Sequence, residues 1–467
     1  MDVLSKGLCL FSNTPPPPNS VSSHSHNLTA SPPSASFSGR LFSLLPRFRH
    51  FLFALFAALA FGLPLAAQAA TVNINVAADW PAGGTITLND GDVLNIAAAA
   101  GSPAIPTVIQ LAANASVTIN GSGAMITNLH IQDGADTAAH NVSINNLHIT
   151  SDITGYLQAK GVLVLTGANE IAGTGGAHGI TSPGTLTITS ATGGTLKASS
   201  DSATGIYVAG AGTLNIEGNA DVTVASATGR ALNMDAASNA INVAAGAKLT
   251  TTSGTGTAIG STVGSLAIAC NGTLTASGNA QGIYASGQSV SITGSGTVSA
   301  TGTNGLGIFA ASLSVDKATV NATSANSAGL AFSLDVGNVT LTHGATLNLT
   351  GSPSSPVTNA TGFTLDAGSS VTLTKGAGGA ATESHPFTMS AAGTWQLSGS
   401  AAFVAPATAT SSPATISVAA GASGTIKLGP ASSSGGGGTA VPTLGEWALW
   451  LLALLLGGAA LTMRRRV

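Results

Sequence analysis

Along most of this chain, apolar residues alternate with Thr, Ser and Asn in short runs separated by Gly or Asn-Gly. Strict alternation marks a half-buried strand, because successive side chains point to opposite faces. Between runs, Gly and Asn tolerate the left-handed backbone that a sharp turn needs. One set of runs begins at Val117, Val142, Leu163, Leu186, Leu214, Ile241, Leu266, Val290, Leu313 and Val339. A second begins at Leu196, Val222, Leu249, Leu274, Val298, Val320 and Leu347. A third follows a glycine-rich turn, at Ile180, Ile206, Leu232, Ile259, Ile283 and Ile308. All three return after about 25 residues, the mark of a repeat architecture.

Three short strands sharing one period predict an all-β fold, a right-handed parallel β-helix with one three-faced coil per repeat. Coils stacked at about 4.8 Å would pair their backbones and enclose a shared column of Leu, Ile and Val. The repeats proper span residues 117–375. Residues 70–116, with Trp80, Pro81, Pro103 and Pro106, read as an N-terminal cap and first coils. Residues 376–430, where the period decays around Pro386, Pro406 and Pro413, read as irregular C-terminal coils or a stalk. Residues 70–440 divided by the repeat give roughly fourteen coils, about 70 Å in length. A β-sandwich array also fits strands this short, but the constancy of the period favours the helix. No repeat carries the glycine–aspartate pattern of a calcium-binding β-roll.

Only 7% of the 467 residues are charged, far below the usual quarter or so of a soluble domain. Outward Ser, Thr and Asn explain the deficit, since stacked coils would otherwise set like charges above one another. Much of the positive charge sits at the two ends. Arg40, Arg47 and Arg49 precede an apolar run over 51–67, and Ala67-Gln68-Ala69 follows. A basic flank, a short apolar core and small residues at Ala67 and Ala69 predict a signal peptide over 41–69, cleaved after Ala69 by signal peptidase. Residues 1–40, with prolines at 15 to 18, read as a disordered leader or as sequence upstream of the true start, at Val21, Leu41 or Leu44. Without the terminal segments, acids outnumber bases roughly two to one, which excludes nucleic acid as a partner.

At the other end, residues 431–440 form a Gly/Ser linker, and 447–463 form an apolar segment at the lower limit for spanning a bilayer. Arg464, Arg465 and Arg466 close it, and positive residues stay cytoplasmic, so everything before the helix would face outward from the inner membrane. The segment opens with Val441, Pro442, Thr443 and Leu444, and Trp447 follows. This order of motif, helix and arginine cluster over 441–467 resembles the IPTL-CTERM sorting signal, a relative of the PEP-CTERM tails of Gram-negative bacteria. Val441, Gly445 and Ala448 depart from the commonest residues of that signal, while the Pro-Thr-Leu core and the tryptophan stand. The resemblance implies recognition by an exosortase-like membrane protease, removal of the tail, and delivery to the cell surface or extracellular matrix.

Candidate chemistry in the repeats is sparse. No cofactor is expected. Cys9 falls in the leader, and Cys270 shares a face with Leu266 and Ile268, which predicts a buried, inert thiol. A polysaccharide lyase or hydrolase is the obvious enzymatic alternative for a β-helix. It needs a basic residue beside charge-neutralising groups, or a convergent carboxylate pair. Arg230, with Asp221 and Asp235 nearby in sequence, reads instead as a solvated surface residue. Asp90 with Asp92, and Asp133 with Asp136, flank glycines in good turn sequences and lack further cation ligands. His130 and His148 occupy a repeated Asn-Leu-His-Ile, but 18 residues is too short to stack them, so both are expected to face solvent singly. Tyr207, Tyr284 and Phe309 each follow an inward Ile of the third set and should point outward on one face. Tyr284 and Phe309, one repeat apart, form a candidate platform for the apolar face of a sugar, such as surface polysaccharide, or else a stabilising ladder. Together these features predict a non-enzymatic, exported spacer or adhesive surface.

Overall fold

The computed structural model describes residues 68–133, 139–151, 157–158, 161–210, 212–325, 334–335, 337–351, 362–376 and 382–430. The expected leader, Ala67 and most of the expected signal peptide, the linker and the sorting tail lie outside them. Among the described residues no helix is long and apolar enough to cross a membrane.

The fold is a β-solenoid, almost without helix, and its coils carry the three strand positions that the periodicity predicts. In the second set, Leu196 pairs with Val222, Val222 with Leu249, and so on through Leu274, Val298, Val320 and Leu347, without a slip. The third set likewise keeps Ile180, Ile206, Leu232, Ile259, Ile283 and Ile308 in one column. All these pairings are parallel, and the aligned side chains are fully buried or nearly so. The first and third ladders belong to one sheet, because the strands Gln281–Thr293 and Leu306–Asp316 run unbroken through the corner between them.

The first set departs from expectation at two steps. Leu163 pairs with Ile188 rather than Leu186, and Ile241 pairs with Ile268 rather than Leu266. Each slip is two residues, so the faces are unchanged. The second slip sets Leu266 opposite Asn239, which lies buried. Its amide is fully used: Oδ1 accepts from the Ala236 amide at 3.0 Å, while Nδ2 donates to the Ala236 carbonyl at 2.9 Å and to Ser261 Oγ at 2.8 Å. A buried amide with every strong partner present costs little.

Where the second-ladder strands end, inward serines close the corner. Ser226 Oγ donates to the Ala203 carbonyl of the preceding coil at 2.6 Å and accepts from the Gly229 amide at 2.8 Å. Ser200 and Ser253 repeat the arrangement one coil before and one coil after. In the next coil Gly278 takes the place, and a Cβ there would lie 2.0 Å from the Gln281 carbonyl oxygen.

Winding begins at once after the expected cleavage point. The strand Thr71–Ile74 pairs in parallel with Val93–Ile96, and Thr85–Leu88 with Thr107–Leu111. Short 3-10 turns, Ala77–Asp79 and Ala98–Ala100, stand where later coils have second-ladder strands. Buried Trp80 covers them, its indole N–H donating to the Ala100 carbonyl at 3.1 Å.

Among the described residues the stack has about eleven turns, counted on the second ladder, against the fourteen expected from the full length. The second ladder has eleven parallel strands, from Met125–Thr127 to Ser370–Lys375. The first ladder has fourteen, from Thr71–Ile74 to Thr382–Met389, because the two opening coils carry 3-10 turns in place of a second-ladder strand and the last strand enters the cap. Beyond residue 376, where irregular coils or a stalk are expected, the parallel winding gives one more strand before its sense changes. Thr382–Met389 continues the first ladder, with Phe387 over Phe363, and the remaining strands then turn antiparallel. Ala414–Ala419 lies antiparallel on Thr382–Met389, and Ser423–Pro430 lies antiparallel on Ser370–Lys375. Gly393–Gly399 and Ala401–Phe403 add a further row. Phe363 and Phe387 stack at 4.8 Å, and Trp395 meets Phe387 edge-on at 6.1 Å. This aromatic packing fills the closing coil, and the antiparallel strands cover parallel edges that would otherwise invite pairing with another chain.

Candidate functional site

The alternation that buries Ile206, Ile259, Ile283 and Ile308 turns the next residue of each strand outward. Read coil by coil, that outward column of the third ladder is Thr181, Tyr207, Asn233, Gly260, Tyr284 and Phe309. All three predicted aromatics therefore share one face, but they are not one stack. Tyr284 and Phe309 lie on adjacent coils with ring centroids 5.3 Å apart and planes only 10° from parallel. Tyr207 stands three coils away and is engaged within the protein. Its ring stacks on His178 at 5.1 Å, and its hydroxyl donates to Asp235 Oδ2 at 3.2 Å. Burial, followed by the Asp235 charge, raises the Tyr207 pKa. The Thr204 amide donates to His178 Nδ1 at 3.2 Å, while burial lowers the pKa of that imidazole.

Arg230 fills the gap in the column, which the sequence did not reveal. Its side chain lies across Gly260, where a Cβ would come within 2.5 Å of Arg230 Cδ. Nη1 donates to Asn233 Oδ1 at 2.9 Å, and Cζ sits 6.0 Å from the centre of the Tyr284 ring. The expected solvated arginine is thus half-buried and held between an amide and an aromatic face. The only advance signals were a lone arginine two residues before an inward Leu and a glycine in an otherwise side-chain-bearing column. The resulting strip presents a guanidinium beside two nearly coplanar rings, a surface suited to the apolar face of a sugar ring and to groups on its edge.

The other candidates resolve into structural roles. Asp92 is buried and accepts from the Ala70 and Asn89 amides, both at 2.7 Å, which lowers its pKa. Asp90 Oδ1 accepts from the Ser116 amide at 2.8 Å. The Asp133 side chain and Asp136 lie outside the described residues. Among the described residues no group of three or more His, Cys, Asp or Glu is placed to hold a metal. Cys270 is buried as expected, and burial raises its thiol pKa.

His130 and His148 sit on different ladders, so they do not stack, but His130 is not solvent-facing. It is buried between buried Leu129 and Ile131, its Nδ1 has no hydrogen-bond partner, and burial lowers its pKa. Alternation assigns a face to a side chain; it does not say whether other parts of the chain cover that face. His148 remains partly exposed, its Nε2 3.0 Å from the Ala168 carbonyl oxygen.

Gln68, Ala69 and Ala70 are exposed at the entrance to the first coil, so one half of the expected cleavage motif is visible and accessible. Val441, Pro442, Thr443, Leu444, Trp447, Arg464, Arg465 and Arg466 lie outside the described residues. Comparison with known families decides their reading: residues 439–466 match the IPTL-CTERM motif. The chain carries an IPTL-CTERM sorting signal. The match spans all eight of those residues and leaves the solenoid outside it. No curated protein and no solved structure matches the chain. An IPTL-CTERM signal implies an exported protein, here with a β-solenoid as passenger, processed by a sorting protease of the exosortase type.

Proposed function

We propose that this protein is a non-enzymatic cell-surface or extracellular-matrix component of a Gram-negative bacterium. A β-solenoid serves as spacer, and the aromatic strip serves as an adhesive contact for surface polysaccharide. Signal peptidase removes the leader after Ala69, the apolar segment 447–463 holds the chain briefly in the inner membrane, and the sorting protease releases it. The carrying observation is the IPTL-CTERM motif at 439–466, placed directly behind a solenoid that ends in a closed antiparallel cap. Supporting it are the exposed Ala69–Ala70 bond just before the first strand and the coplanar Tyr284 and Phe309 rings.

Fractionation of cells expressing the intact chain and a Pro442→Ala, Trp447→Ala double variant tests the sorting step. The intact chain should reach the surface or medium in a shortened form, and the variant should stay full-length in the inner membrane. Release of both chains alike would refute it. Incubating the exported protein with polysaccharides and measuring new reducing or unsaturated ends tests the non-enzymatic reading, with no release expected.

A further inference from the structure

Resting on the sugar-contact reading, we propose that Arg230, with Tyr284 and Phe309 beside it, is a subsite for a carboxylate-bearing sugar in a polysaccharide chain. Arg230 is the only arginine between residues 50 and 463. Two lysines of the second ladder are neutralised across coils, Lys197 by Glu170 at 2.6 Å and Lys248 by Asp221 at 3.2 Å. Arg230 has no such carboxylate among the described residues. Its one side-chain partner is the neutral amide of Asn233, and its other contact is the face of Tyr284. The nearest acid in sequence, Asp235, already accepts from the Tyr207 hydroxyl and, at 3.5 Å, from the Thr262 hydroxyl.

Three contacts fix this uncompensated charge: Asn233 on one side, the Tyr284 ring on the other, and bare backbone at Gly260 beneath. A guanidinium held in this way has lost little further freedom to lose on binding, and its remaining N–H groups form a fork that fits a carboxylate. Along the column the cation and the platform are successive. Gly260 lies beneath Arg230, and Tyr284 and Phe309 follow at one coil each, about 4.8 Å apart. A pyranose lying flat on the paired rings would direct a ring-edge carboxylate toward the fork, giving charge-assisted hydrogen bonds beside an apolar contact. A neutral sugar would use only the rings. The acidic balance of the exported chain disfavours a densely charged polyanion, and its repulsion is screened beyond about 8 Å at physiological salt, so one local cation can act.

Affinity electrophoresis of the full chain through a galacturonan in which most carboxylates are methyl-esterified and free ones are sparse, and through its fully methyl-esterified form, tests the proposal with probes that differ only in charge. Wild type should bind the acidic polymer at least about tenfold more tightly, an advantage that shrinks as salt rises. Arg230→Gln should bring the two polymers level, and Arg230→Lys should recover part of the difference. A Tyr284→Ala, Phe309→Ala double variant should weaken binding to both polymers. Equal affinity of wild type for the two polymers, salt-independent preference, or binding to neither would overturn the subsite. If the Tyr284/Phe309 variant loses both polymers while wild type never distinguishes them, the sugar platform survives and the carboxylate subsite does not.

Discussion

The backbone amide of Ala70 donates to Asp92 Oδ1 at 2.7 Å, joining the first residue after the expected cleavage point to a buried carboxylate one coil further on. Cleavage after Ala69 would convert that amide nitrogen into an α-ammonium. A hydrogen bond from a neutral amide to the carboxylate would become an ion pair at the entrance to the solenoid. The chain beginning at Ala70 should therefore lose more thermal stability on Asp92→Asn than the unprocessed chain loses. Because the Asp92 pKa lies below its ordinary value, this stabilisation is present above about pH 4 and disappears as acid protonates the folded carboxyl. Thermal melts of both forms between pH 7 and pH 2 check it; equal losses in both forms would exclude the ion pair.

Leu249 is fully buried in the second ladder, between Val222 and Leu274, while its neighbour Thr250 faces outward. Leu249→Ala should cost about 2–5 kcal/mol, and Thr250→Ala should stay within about 0.5 kcal/mol. Denaturant unfolding gives the comparison. Hydrogen exchange should place the loss in the coils around 249, since each coil touches only its neighbours.

His130 is buried, and its pKa lies below that of an exposed imidazole. The unfolded chain therefore binds a proton near pH 6.5 that the folded chain refuses, so acidification through that region favours unfolding. A His130→Leu variant should retain more of its pH 7 stability at pH 5 than wild type does. Urea midpoints at the two pH values measure the difference, and parallel losses would show that His130 does not drive it.

From Leu196 to Leu347 in the second ladder and from Ile180 to Ile308 in the third, the pairing was legible to the residue, because alternation, a glycine turn and a constant spacing agree there. In the first ladder, alternation excludes a one-residue slip but permits a slip of two, and both errors, at Ile188 and at Ile268, are of that size. The C-terminal cap announced itself only as a failing period. Its partners, such as Thr372 with Thr425, are far apart in sequence, and no local pattern encodes their antiparallel sense. At the candidate site the outward direction of Tyr284 and Phe309 followed from Ile283 and Ile308. The approach of Arg230 did not, because it reaches Tyr284 across two coils through a gap left by Gly260.

Ser423–Pro430 is the last described strand, and the linker and sorting tail continue from it. It lies between two antiparallel neighbours, Ser370–Lys375 on one side and Gly393–Gly399 on the other. Tension drawn through the tail would run along this strand and strain both rows of hydrogen bonds together in shear. A parallel coil pulled from its free edge would instead open one bond at a time. On the proposed membrane tether, the cap would act as a mechanical clamp that keeps traction from unwinding the coils behind it.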